Sequence, residues 1–146
     1  MYGAMMETTM IGIWSSYSST FLYWFSVLIL IVFALPMLFV PLVWAKTIRF
    51  TLPEHTDLAV YFGRSLGVAA IGICVMCFMA SKTPAAQPIV IDGLIVISAL
   101  YVVTHIHGAI KKIQPLAETL EIGFWVGLFC LLLAVYPTGS GAGLFG

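Results

Sequence analysis

Charge is what this sequence has least of. Six basic and six acidic side chains make up 8% of its 146 residues, about a third of the ~25% usual in soluble domains. A water-soluble domain of this length could not cover itself with so few, so the chain reads as an integral membrane protein. The charges cancel, and nothing suggests a nucleic-acid partner. The first twenty residues, MYGAMMETTMIGIWSSYSST, hold no Lys or Arg. The positive start of a secretory signal is missing there, and insertion is expected to rely on the helices themselves. No phosphate loop, nucleophile triad or cofactor fingerprint occurs. Cysteines number three. Cys74 and Cys77 spell CxxC, but inside an apolar span without cationic neighbours, where thiols act as small packing groups. Cys130 reads the same way.

What is present is oil, in four blocks. Apolar residues form 62% of the chain, and the blocks predict helices over about residues 21–45, 57–80, 89–111 and 115–136. Each suffices for a ~30 Å hydrocarbon core, which needs roughly 20 residues. A transmembrane barrel would instead show alternating segments of about ten residues. Residues 1–20 read as an interfacial segment, 21–137 as the transmembrane domain and 138–146 as a glycine-rich tail. Pro36 and Pro41 lie late in the first block and should kink it. Short connections such as SKTPAAQP and KKIQP force antiparallel neighbours, giving an all-α, up-down-up-down four-helix bundle.

Orientation follows from the basic residues. Lys46 and Arg49 fall in the first loop, Lys111 and Lys112 in the third, and Lys82 alone in the second. That bias places the first and third loops in the cytoplasm and both termini on the non-cytoplasmic side. Trp24 and Trp44, twenty residues apart, match the two aromatic belts of one span. The expected location is a bacterial-type inner membrane, crossed several times.

The stretch THIHGAIKK puts His105 and His107 close to Lys111 and Lys112, near the inner interface. Residues i and i+2 of a helix point about 200° apart, so these two histidines cannot grip one metal together. No metal site and no intrinsic cofactor are expected. Other polar groups share this depth: Arg64 in the second span, Tyr101 in the third, Glu118 and Glu121 at the start of the fourth. A charge within hydrocarbon costs at least ~2.5–3.5 kcal/mol, so Arg64 should be paired or reach for the surface, and Glu121 is the best partner by depth. The cluster either ties helices together or forms a small inner-leaflet pocket for a quinone or lipid head group. Asp92 opens the third span, where the helix N-terminus and nearby Lys82 would hold it.

Gly63, Gly67 and Gly72 make the second span small-faced, with a GxxxG step at the first two, suiting close backbone packing at the centre of a bundle. The prolines of ALPMLFVPL, the GRSLG of the second span and the ETLEIGFW opening the fourth together resemble the DoxX-like group of small four-helix membrane proteins. Over residues 21–136 that resemblance implies the same bundle and a small partner of a quinone-linked redox complex. It transfers no catalytic residue. The function expected is a non-catalytic accessory subunit, in contact with lipid and with other integral membrane subunits, the tail and the small faces supplying contacts. The alternative is a protein that itself binds a quinone or lipid head group.

The loop charges make a direct prediction. A reporter fused after Gly146 should be active outside the cytoplasm and one fused near Lys112 inside it; the opposite pattern overturns the orientation.

Overall fold

A computed structural model describes residues 11–138 and 143–145. Four helices are long and apolar enough to cross a membrane: α1 (Ser15–Phe39), α3 (Asp57–Lys82), α4 (Pro84–Lys111) and α5 (Leu116–Ala134). A short helix, α2 (Pro41–Thr47), follows α1. No strand occurs among the described residues. Large apolar side chains cover the outside of all four long helices, as a bilayer requires of a chain with so little charge.

The first helix departs most from expectation. It begins at Ser15, within the segment read as interfacial, and stops at Val40 instead of running to residue 45. Pro41 pushes the residue before it out of the helical region, and Val40 has φ −135° and ψ 52°. Pro36 acts one turn earlier, because it has no N–H to give the Val32 carbonyl. Around it the helix loosens into a π-turn over Leu30–Ala34, with the Leu35 N–H bonded to the Leu30 carbonyl. The carbonyl left over is satisfied from outside the helix. The Trp44 indole donates to Val32 O at 3.1 Å, and its ring meets Phe33 edge-on at 5.2 Å. Trp44 therefore folds back beside α1 and does not mark the far belt of that span.

The terminal end of the bundle is closed by hydrogen bonds. The last carbonyls of a helix have no partners of their own. Here Gly12 N–H donates to Leu133 O at 2.9 Å and Trp14 N–H to Ala134 O at 2.7 Å. The Ser18 hydroxyl lies 2.6 Å from Val135 O. The chain just before α1 thus caps α5. Gln87, at the head of α4, donates from Nε2 to Ser19 Oγ at 2.7 Å and lies 3.3 Å from Ala80 O, tying α1, α3 and α4 together. The described part of the tail also packs here. Leu144 N–H donates to Asp92 Oδ2 at 2.9 Å, and Phe145 meets buried Tyr136 edge-on at 5.3 Å. Asp92 holds the tail, whereas Lys82 lies over the Phe78 ring at 4.1 Å. The expected Asp92–Lys82 pairing is not formed.

Packing divides the bundle in two. Helix α1 lies chiefly against α3, and α4 against α5. The pairs converge at the terminal end, where Leu22, Cys77, Ala80, Ile91, Leu94, Ile95, Leu128, Leu132 and Tyr136 form one core. Toward the loops they separate. The second span pairs with α1 and also touches α2 and α4. Its Gly63 and Gly67 do serve close approach. A Cβ on Gly63 would stand 2.6 Å from Pro41 Cβ, and one on Gly67 would stand 2.6 Å from Leu38 N and 2.9 Å from Ala34 O. Gly72 faces outward with nothing within 4 Å, so it is not a packing position. The CxxC pair is buried, as expected of packing groups, while Cys130 is exposed.

These contacts set a contrast between two glycines of one helix. Gly67→Ala drives a methyl into the α1 backbone and should cost about 2 kcal/mol, whereas Gly72→Ala should be neutral or stabilising by up to ~1 kcal/mol. Thermal unfolding in mild detergent reads both, and equal effects would contradict the packing.

Candidate functional site

His105 lies on the buried face of α4 with 5% of its surface exposed. Its Nδ1 is 2.8 Å from the Tyr101 carbonyl one turn earlier. A carbonyl only accepts, so Nδ1 carries the proton and Nε2 is directed away from its own helix. Nε2 faces α5, where Glu118 Oε2 lies at 3.0 Å and Glu121 Oε2 at 3.6 Å. Nε2 has no hydrogen-bond partner, and the Glu121 oxygen is too distant for one.

The turn between α4 and α5 sets this alignment. Lys112 adopts φ 54°, Ile113 N–H bonds Gly108 O at 3.1 Å and Lys112 N–H bonds Ala109 O at 3.2 Å. That pattern ends a helix with one residue in the left-handed region. Gln114 then donates from Nε2 to His105 O at 3.0 Å, with Thr119 Oγ1 also near at 3.2 Å. Gly108 leaves the space for this side chain; a Cβ there would collide with Gln114 Oε1. Glu118 and Glu121 are three apart on a helix and share a face, which the turn directs at His105.

Aromatic rings extend the site. Tyr101 and Trp125 lie flat against each other, centroids 4.1 Å apart with 5° between planes. Tyr101 is four residues before His105, and Trp125 four after Glu121, so each pair occupies one face of its helix. The Trp125 indole N–H is buried without a hydrogen-bond partner. Sequence reading passed over Trp125, although its spacing from Glu121 was the available signal.

These side chains form one wall of a cavity of about 670 Å³ between the two helix pairs, well within the ~300–1,000 Å³ of small-molecule sites. The other walls are apolar: Phe25, Ile29 and Phe33 from α1, Trp44 from α2, Ala70 and Ile73 from α3. The cavity is a greasy slot with its polar groups gathered at the loop end.

Of the residues expected at one site, the structure brings together Tyr101, His105, Glu118 and Glu121. His107 is exposed on the opposite side of α4, as a two-residue offset dictates. Arg64 is exposed on α3 beside Asp57, Tyr61 and Ser65. The ion pair proposed for it with Glu121 is not formed; Glu121 turns to His105. Comparison of the chain with family models, curated proteins and solved structures finds no match.

Gln114 and Gly108 act as one device in this geometry. Gly108→Ala and Gln114→Ala should each cost about 1 kcal/mol through the same lost hydrogen bonds. The double variant should cost clearly less than the sum. Additive losses in thermal unfolding would show that Gly108 does not serve Gln114.

Proposed function

We propose that this membrane protein binds an amphiphile of the quinone or lipid class, with its head at Tyr101, His105, Glu118 and Glu121 and its chain along the cavity. One observation carries the reading: an apolar space of about 670 Å³ has its titratable groups concentrated at one end. Apolar walls favour a hydrocarbon chain. The His105 Nε2 and the two carboxylates are acceptors, and they favour a head that donates, such as a quinol hydroxyl. The parallel Tyr101–Trp125 pair offers a flat face to a planar ring. The resemblance to the DoxX-like group points toward the same quinone class. With the loop ends in the cytoplasm, as the basic residues predict, the head would lie at the inner leaflet.

A second reading, an accessory subunit of a larger membrane assembly, is supported by Arg64. This cation sits about two turns inside a membrane-spanning helix, exposed and without a carboxylate partner among the described residues. Such residues either snorkel or meet another protein. The tail supports it less, since residues 143–145 pack on the chain's own terminal end.

The amphiphile reading is tested with the purified full chain in mild detergent. A decyl-chain benzoquinol should quench tryptophan fluorescence saturably, because Trp44 and Trp125 both line the cavity. Ala70→Phe, which puts a ring into that space, should weaken binding at least about tenfold, or ~1.4 kcal/mol. Linear, unsaturable quenching that is identical in both proteins would reject the reading.

A further inference from the structure

We infer that His105, Glu118 and Glu121 form a binding site for a divalent transition-metal ion at the polar end of the cavity. Three features of the geometry combine. The ligating atoms of the three side chains all lie within 4.8 Å of one another and come from two helices. His105 Nε2 is buried and unpartnered in hydrogen-bond terms, and it is aimed into the group. Its other nitrogen is fixed by the Tyr101 carbonyl at 2.8 Å, the arrangement that orients metal-binding imidazoles and leaves the second nitrogen's lone pair free.

The short His105–Glu118 contact, which is not a hydrogen bond, fits two ligands of a shared ion. With metal–ligand bonds of about 2.1 Å and ligand–metal–ligand angles of roughly 90–110°, neighbouring ligand atoms stand ~3.0–3.4 Å apart. His105 Nε2 to Glu118 Oε2, at 3.0 Å, falls within that range, and Glu121 Oε2, at 3.6 Å, lies just beyond it. Charge agrees as well. Two carboxylates and a neutral imidazole balance a divalent ion, whereas two carboxylates this close at the membrane boundary repel each other. One nitrogen with two carboxylates suits zinc, manganese or ferrous iron; magnesium and calcium prefer oxygen alone. Three protein ligands leave a coordination position open toward the cavity.

The inference uses the same residues as the amphiphile reading but does not depend on it, and the test contains no amphiphile. Full-length protein is stripped with a chelator and titrated with Co2+ in mild detergent. One equivalent should bind, with visible ligand-field bands that Zn2+ abolishes by competition. Glu118→Gln and Glu121→Gln preserve side-chain size, and each should weaken binding at least about tenfold, as should His105→Ala. His107→Ala should leave binding unchanged. No saturable band in the wild-type protein overturns the inference, as does a band that survives all three substitutions. Should the variants not fold, wild-type protein loaded with Mn2+ must show coupling to a single imidazole nitrogen. Absence of that coupling is equally decisive.

Discussion

The fold depends on where the last carbonyls of α5 find their hydrogen bonds. In hydrocarbon an unsatisfied backbone group costs several kcal/mol, and Ala134 and Val135 would each present one, while Leu133 O has only the long 3.3 Å bond from the Tyr136 N–H. Gly12, Trp14 and Ser18 supply the partners, which joins the beginning of the first long helix to the end of the last. Gln87 adds α4 and the end of α3 to the same layer. With one end fixed in this way, the helix pairs are free to diverge at the other. The cavity is the result of that divergence.

The same asymmetry explains where the polar residues are affordable. At the terminal end Asp92 and Tyr136 are used on the tail. At the loop end His105, Glu118 and Glu121 face one another across α4 and α5. Gln114 and Gly108 supply the support behind them.

Depth along a helix is legible in this sequence, and rotation about the helix is much less so. The four spans, their antiparallel order and the shared level of Arg64, Tyr101, His105 and Glu121 all follow from counting residues. Which way each side chain points requires knowing the neighbours. Arg64 and Glu121 match in level, yet Arg64 faces outward and His105 stands nearer to Glu121. Gly72 fits the small-residue pattern of Gly63 and Gly67, but nothing packs on it. His105 and His107 are two residues apart in sequence but lie on opposite sides of α4. The group with ligand spacing instead joins one histidine to two glutamates of the next helix. Tyr101 and His105 on one face, and Glu118 and Glu121 on another, were readable from i+3 and i+4 spacing; only their meeting was not.

The π-turn in α1 has a consequence for how the two halves of the bundle relate. From Ser26 to Ala34, both buried on α1, is eight steps. In a regular helix they sum to about 800°, leaving Ala34 roughly 80° out of phase with Ser26. A π-turn winds each of its five residues roughly 18° less, and the accumulated lag returns Ala34 to the face shared by Leu22 and Ser26. The helix thus absorbs one additional residue without a loop and without losing its contact with Gly67. Upstream its phase is set by the cap on α5, and downstream by the glycines of α3. The two halves are indexed separately, so the lining of the cavity can change in sequence while the closed end keeps its fit.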